Sequence, residues 1–204
     1  AVLAAWLVLG ALVDLKARAG RGDLSARLRR LRYLPRADWG KAVAHAGFGI
    51  TLFGVAALTA WQVEDIRVAQ AGQSFAVGPY EITLVSVEQR QVSNYQTTLA
   101  RMEVTRNGNP VATLFPEKRF YPVARMPTTE AAIDNGILRD LYLVIGDPQD
   151  AGGWAVRTYI KPFANWIWAG AIIMALGGGL SLSDRRHRVA AGAAKAPRAA
   201  VPAE

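Results

Sequence analysis

Two long stretches of the sequence contain no charged side chain, and they constrain the fold more than any other feature. Residues 42–63 and 163–183 are 22 and 21 residues long and hold no Asp, Glu, Lys or Arg. As α-helices, at about 1.5 Å per residue, they reach roughly 30 Å, the thickness of the hydrocarbon core of a bilayer. The sequence therefore predicts two membrane-spanning helices, at 42–62 and 163–183.

A third apolar run, residues 1–13, begins without an initiator Met or a basic flank. Both features argue against a signal peptide. We interpret this run as the end of a truncated transmembrane helix, so that the sequence is expected to start inside a larger protein. The 204 residues include no Cys, so any thiol chemistry is expected to belong to a partner.

The net charge of +8 is concentrated beside the apolar stretches. Residues 14–41 carry nine Lys or Arg against three Asp, residues 64–161 carry ten against eleven acidic residues, and residues 184–204 carry five against two. Short cytoplasmic segments are rich in Lys and Arg. We therefore expect the loop 14–41 and the tail 184–204 to be cytoplasmic, the tail largely disordered, and residues 63–162 to lie outside, in the periplasm of a bacterial inner membrane.

The basic cluster Arg27, Arg29, Arg30 and Arg32 is interpreted as a contact for anionic lipid headgroups. No aromatic residues alternate with these arginines and no nucleic-acid-binding motif accompanies them, so we expect no nucleic-acid partner. Asp38 is a candidate N-cap for the first complete span. Four tryptophans fall near the ends of the proposed spans, where an indole prefers to lie: Trp39, Trp61, Trp166 and Trp168.

Between the spans, β-branched and aromatic residues alternate with polar ones, and Gly, Pro and Asn separate the runs, as is typical of antiparallel strands. Asn107-Gly108 predicts a tight hairpin. Residues 116–134 are less regular, and Thr128 or Thr129 is a candidate start for a short helix through Glu130 and Ile133. The expected fold is membrane-spanning helices plus an all-β extracytoplasmic domain, a small antiparallel barrel or sandwich. The predicted strands are 66–69, 74–77, 80–90, 97–106, 110–115, 141–145 and 154–159.

His45 is the ionisable residue that falls inside a predicted span. An ionisable group at membrane depth must find protein, water or metal, and therefore suggests function. Ala42 and Gly49 lie three residues before and four residues after it, so the same helical face has little side-chain bulk and offers room for a flat macrocycle. His45 is thus a candidate axial ligand of haem iron. The alternative is that the imidazole bonds a neighbouring helix and that Ala42, Gly47 and Gly49 permit close helix packing.

Two further sets of residues are candidates. Arg119 and Arg125, near Tyr121, are suited to binding a haem propionate or a partner's acidic surface, or to making structural salt bridges. His187, the other histidine, lies in a basic run of the cytoplasmic tail, a solvated setting that disfavours ligation. A second imidazole for a haem iron would then come from sequence outside this chain.

Several motifs, in order along the chain, resemble the C-terminal region of the CcmF/NrfE family of cytochrome c haem lyases. One example is Pro-Glu-Lys-Arg-Phe-Tyr-Pro at 116–122. The tryptophan-rich haem-handling motif of this family, its extracytoplasmic histidine ligands and its first transmembrane histidine are absent here. The other similar segments are 59–66, 75–80, 125–130, 140–142, 161–168 and 183–187.

The resemblance implies a multispan membrane protein that receives haem from a haem chaperone and promotes thioether formation with the Cys-X-X-Cys-His motif of apocytochrome c. It also implies thiol-reducing or apocytochrome-binding partner subunits, and a haem b held between two transmembrane histidines, of which His45 corresponds to the second. This portion alone is not expected to catalyse, and its catalytic residues stay unknown. The main alternative is a non-enzymatic docking or scaffold module of an assembly complex, and a membrane sensor or transporter ranks last.

Overall fold

A computed structural model describes residues 1–184, which form two compact units. One unit contains residues 1–53 and the described residues from Trp166 onward, and the other is Gly54–Asn165. The predictions for His187 and for a disordered tail lie outside the described residues. The four helices are α1 (Val2–Ala19), α2 (Leu24–Arg32), α3 (Arg36–Trp61) and α4 (Ala164–Leu182).

Helices α3 and α4 are long and apolar enough to cross a membrane, by length and composition. Helix α3 begins at Arg36, six residues before the predicted start of the span. Glycines bring the two helices together, because a Cβ added at Gly170 would lie 2.5 Å from the carbonyl oxygen of Gly47, and one at Gly177 would lie 2.4 Å from the amide nitrogen of Ala44. Small residues thus allow the two backbones to touch.

The start of α3 corrects the prediction for Asp38. The Ala37 amide, in the first turn, donates to Asp184 Oδ2 at 3.1 Å, and Asp38 instead pairs with Arg18 at 2.7 Å. The sequence-based assignment was wrong because a carboxylate distant in sequence, and 8% exposed, reaches the unpaired first-turn amide. Arg30, from the basic cluster, donates to the carbonyl oxygens of Ala19, the last residue of α1, and of Arg21, at 3.0 and 2.8 Å.

The second unit is a β-sandwich. Sheet A has the strand order β1-β10-β9-β8, and sheet B has the order β2-β3-β4-β6-β7, with β5 also paired to β4. All pairs are antiparallel. The strands are β1 (Val63–Ala69), β2 (Ser74–Val77), β3 (Tyr80–Gln91), β4 (Gln96–Arg106), β5 (Asn109–Leu114), β6 (Glu117–Tyr121), β7 (Met126–Glu130), β8 (Ala132–Asp134), β9 (Arg139–Pro148) and β10 (Trp154–Pro162).

The core lies between the inner faces of the two sheets. Buried residues alternate along each strand because successive side chains point to opposite faces. Ile82 and Leu84 of β3, with Met102 and Val104 of β4, belong to the same buried cluster as three residues of β9. Those three are Leu141, Leu143 and Ile145. The structure therefore decides between the two expected architectures in favour of the sandwich.

All seven predicted strands are present, with bounds shifted by a few residues, and the Asn107-Gly108 hairpin is confirmed. Asn107 has φ 52° and Gly108 has φ 77°, and Arg106 pairs with Asn109 across the turn. The expected helix at Thr128 or Thr129 is wrong, since these residues belong to β7 and pair with Arg119 and Lys118 of β6. Residues 116–134, expected to be irregular, contain β6, β7 and β8.

Candidate functional site

His45 lies in α3, nine residues from its first residue, with an exposed side chain. Its Nδ1 is 2.8 Å from the carbonyl oxygen of Lys41, one helical turn earlier. Because a carbonyl oxygen only accepts hydrogen bonds, the ring donates through Nδ1–H, and in the neutral imidazole this bond leaves the lone pair on Nε2. This is the form of imidazole that binds a metal ion, and the Nδ1 hydrogen bond fixes its orientation.

A small pocket lies beside the imidazole, between α1 and α3. Its volume is about 190 Å³, and no atom lies within 4 Å of a Cβ added at Gly10, while Ala42 contributes only a small side chain to the lining. The pocket is lined by Trp6, Leu7, Gly10, Ala11 and Asp14 from α1 and by Lys41, Ala42 and His45 from α3. The structure thus brings Ala42 and His45 together.

Gly49 does not join this pocket. A Cβ added at Gly49 would lie 2.7 Å from Val8 Cγ2 and 2.9 Å from the carbonyl oxygen of Ala4, both in α1. Gly49 therefore permits close approach of α1 rather than leaving an open surface. Gly47 makes room for α4 in the same way, because a Cβ added at Gly47 would lie 2.7 Å from the carbonyl oxygen of Gly170.

Sequence reasoning missed the contribution of α1. Trp6, Gly10 and Asp14 are spaced by four residues and so share one helical face, a signal visible in the sequence. Asp14 pairs with Lys41 at 2.8 Å and with Arg18 at 3.2 Å. The pair with Lys41 links α1 to α3, one turn before His45.

The donor set of this pocket fits one axial position of a haem. His45 offers an exposed imidazole, and Gly10 and Ala42 leave space beside it. The 190 Å³ is smaller than the roughly 300–1,000 Å³ of ordinary ligand pockets, so a macrocycle would also extend along the exposed surface of α3. Within residues 1–184, no group of three or more His, Cys, Asp or Glu side chains is placed to hold a metal ion.

Of the second candidate set, the structure brings Arg119 and Tyr121 together. The Arg119 guanidinium pairs with Glu117 and, at 3.4 Å, with Glu130. It lies 5.1 Å above the Tyr95 ring, which is 5.5 Å from the ring of Tyr121. The hydrogen bond from Arg119, with a second from Thr97, holds the pKa of the Glu117 carboxyl below its usual range. Arg119 therefore already has acidic partners within the domain.

Arg125 is separate from that cluster. It lies exposed in the turn between β6 and β7, with φ 51°. This conformation is uncommon for a residue other than Gly, and it turns the chain from one strand to the next.

A larger groove, of about 710 Å³, lies on the sandwich beside Arg119. The Lys118–Asp147 ion pair at its wall links β6 to β9. Its lining is mostly polar and cationic, which suits an extended polar partner. The residues are Gln89, Arg90, Gln91, Gln96, Thr97, Thr98, Lys118, Arg119, Phe120, Pro127 and Asp147.

Comparison with known proteins identifies the sandwich. Residues 60–162 match the family model described as the CcmF C-terminal β-sandwich. A solved structure named Cytochrome c Heme Lyase CcmF superposes with a TM-score of 0.59 over 86% of this chain and 34% of that chain, at 18% identity, and so shares the fold.

Three curated relatives are similar over most of this chain. The cytochrome c-type biogenesis protein ccl1 of Rhodobacter capsulatus is 63% identical over 95% of this chain and 29% of its own length. CcmF of Haemophilus influenzae is 43% identical over 78% of the chain and 24% of its own length, and CcmF of Escherichia coli is 40% identical over 91% and 27%. The chain thus spans between 24% and 29% of the length of these relatives.

Proposed function

The chain belongs to the CcmF family of cytochrome c-type biogenesis proteins, and from this premise we propose that it is the C-terminal part of a membrane-bound haem lyase. The whole protein would attach haem to apocytochrome c, and this portion would hold a haem b and present a docking domain. The single observation that carries the proposal is His45, exposed on an apolar helix with Nε2 free.

The proposed setting is a bacterial inner membrane crossed by α3 and α4. At about 1.5 Å per residue, the 19 residues of α4 nearly match the bilayer core of roughly 30 Å, and the 26 residues of α3 exceed it. The basic flanks support a cytoplasmic location for residues 14–41 and 184–204, and the sandwich would then lie in the periplasm. The apolar residues 1–13, most of which lie in α1, would be in the same membrane.

The proposed haem site uses residues of α1 and α3. His45 binds the iron through Nε2, the Lys41 carbonyl oxygen orients its ring, and Gly10 and Ala42 leave room beside it. A haem b held there would supply a one-electron redox centre, which could pass one electron to the transferred haem iron and would then be reduced again by a separate one-electron donor. The second axial ligand would come from outside this chain, and Gly49 would act by placing α1.

The remaining partners follow from the chemistry of the reaction. Thioether bonds form between haem vinyl groups and cysteine thiols, and this chain has no Cys. The thiols that form these bonds would belong to apocytochrome c, and the thiols that keep them reduced would belong to thiol-reducing subunits. A haem chaperone would deliver the haem. On the sandwich, a partner or a haem propionate would contact Arg119, Tyr121 and Arg125.

Replacement of His45 tests this proposal. We expect His45→Ala in the full-length protein to remove or shift the b-type band of the reduced haem spectrum, because the iron loses one axial nitrogen. Thr59→Ala is a matched control, since Thr59 Oγ1 also bonds the carbonyl oxygen four residues earlier in α3, at 2.9 Å. An unchanged band in the His45→Ala protein would rule out ligation.

A second candidate function is a non-enzymatic docking or scaffold module. The groove of about 710 Å³ on the sandwich favours it, because the groove is large, polar and formed within the domain. An unchanged haem band in the His45→Ala protein, together with normal partner binding, would support this alternative over the haem site.

A further inference from the structure

The loop between β8 and β9 carries large apolar side chains into solvent. Ile137 is 79% exposed and Leu138 is 62% exposed. Trp61, the last residue of α3, is 57% exposed. Single exposed apolar residues are ordinary on a protein surface, so the arrangement of these residues decides what they mean.

The three exposed residues belong to one continuous patch at the ends of the apolar helices. The Phe163 amide donates to the carbonyl oxygen of Leu138 at 2.9 Å, and the Phe163 ring lies 6.3 Å from the ring of Trp61. Phe163 directly precedes α4, and Trp61 ends α3. The patch Trp61, Ile137, Leu138 and Phe163 is therefore attached by backbone and ring contacts to the points where both helices leave the sandwich.

The loop is held firmly in this position by polar groups at its base. Asn165 Nδ2 donates to the Gly136 carbonyl oxygen and to Asp140 Oδ1, both at 2.9 Å, and the Gly136 amide donates to Asp140 Oδ1 at 3.0 Å. Asp140 is 3% exposed. A Cβ added at Gly136 would lie 2.6 Å from the Arg139 carbonyl oxygen, so the turn is tightly closed. The hydrogen bonds thus satisfy the polar groups at the base and leave the apolar side chains projecting.

The charged groups nearby suit a membrane surface. Arg139 turns inward, donating to Tyr80 Oη at 2.7 Å and to Asp134. Lys161, which pairs with Asp140 in the sheet register, lies 4.1 Å from the centre of the Tyr142 ring. Lys and Tyr side chains are each compatible with the headgroup region of a bilayer, because both have an apolar body and a polar end.

We propose that Ile137, Leu138, Trp61 and Phe163 form a lipid-inserted wedge that fixes the sandwich against the membrane surface. This inference rests on the proposed membrane setting of α3 and α4. The occupant is the headgroup and upper acyl region of the bilayer, because the patch is continuous with the first turn of an apolar helix. Side chains of this kind enter the bilayer boundary by roughly 5–10 Å.

The test places a single nitroxide label in the full-length protein, reconstituted in vesicles of phosphatidylethanolamine and phosphatidylglycerol. This chain has no Cys, and any cysteine elsewhere in the protein would be replaced by Ser. Labels are introduced by Ile137→Cys, by Val123→Cys in the β6–β7 turn, which is 99% exposed, and by Ile172→Cys in α4, which is 61% exposed. Collision rates with oxygen and with a water-soluble nickel complex report the depth of each label.

We expect position 137 to be more accessible to oxygen and less accessible to nickel than position 123, with a depth between those of positions 123 and 172. A label at 137 that resembles the one at 123, while 172 lies in lipid, would overturn the wedge and leave the membrane setting intact. Shielding of 137 from both reagents would indicate a protein partner and would also overturn it. Aqueous exposure of 172 as well would contradict the membrane setting itself.

Discussion

At the scale of single residues, glycines determine how α3 and α4 approach each other. A Cβ added at Gly170 would lie 2.4 Å from Thr51 Oγ1 and 2.5 Å from the Thr51 amide nitrogen. Backbone atoms cannot move aside as a flexible side chain can. Gly178, on the same helix, has nothing within 4 Å of the added Cβ.

Replacement by Ala is expected to have opposite effects at Gly170 and Gly178. Gly170→Ala should lower the unfolding temperature of the full-length protein in detergent, with an overpacking cost of about 1–3 kcal/mol. Gly178→Ala is the matched control, and it should be neutral or stabilising by up to about 1 kcal/mol, since Ala is the better helix former. Equal shifts for both variants would contradict the close packing of α3 and α4.

His45 was identifiable from sequence because an imidazole within an uncharged stretch is costly unless it has a partner. Its proposed role stays a prediction. The sequence did not reveal which small residues leave space beside the imidazole. Gly10 of α1 opens the space beside the ring, whereas Gly49 is occupied by α1, and this difference depends on how two helices pack.

At the scale of elements, Arg119 of β6 links the two strands of the β6–β7 hairpin through its ion pair with Glu130 of β7, and it also pairs with Glu117 on its own strand. Glu117 is the residue of β6 that faces Glu130 in the register, and Thr97 of β4 adds a hydrogen bond to it at 2.8 Å. The Glu117 carboxylate thereby connects β6 to β4 and positions Arg119, which connects β6 to β7. The stability of this hairpin is expected to depend on pH.

The sign of that dependence follows from the lowered pKa of Glu117. Its ordinary pKa is near 4.5, so the stabilisation is complete above that pH and is lost as the pH falls through the lower folded-state pKa. Hydrogen exchange of residues 117–130 in the full-length protein, corrected for intrinsic rates, should accelerate as the pH falls below about 4.5. The Glu117→Gln protein should exchange faster at neutral pH and lose this acceleration.

Glu88→Gln is the control for this prediction. Glu88 pairs with Arg90 on an exposed strand end, where both side chains are more than half exposed, so its loss should change exchange little. Identical pH profiles for wild-type and Glu117→Gln protein would refute a stabilising role for the Glu117 carboxylate.

Two of the three strands missed from sequence, β7 and β8, have a physical explanation. Pro127 interrupts the strand pattern, since Pro cannot donate to a ladder and is ordinarily confined to edge strands. Among residues 1–184, strand β7 ends the order of sheet B, so its outer edge has no partner strand there and tolerates Pro127. Strand β8 is three residues long, too short for a period of two to be recognised.

At the scale of the whole molecule, the charge distribution predicts the sidedness of the membrane setting. A cysteine at Val123, 99% exposed on the sandwich, should react with a membrane-impermeant maleimide in cells with a permeabilised outer membrane. A cysteine at Tyr33, 78% exposed after α2, should react only after lysis, because residues 14–41 carry the positive excess of a cytoplasmic loop. Labelling of both positions in unlysed cells would contradict this topology.

The sequence by itself determined the elements whose signals are local. The length of the uncharged stretches specifies α3 and α4, and the alternation of apolar and polar residues specifies seven strands. Asn107-Gly108 specifies its hairpin. Each of these signals depends only on neighbouring residues. Tertiary structure decided what depends on residues far apart in sequence. The pairing of β4 with both β5 and β6, the carboxylate of Asp184 at the start of α3, and the pocket that α1 forms beside His45 all arise from packing between separate elements.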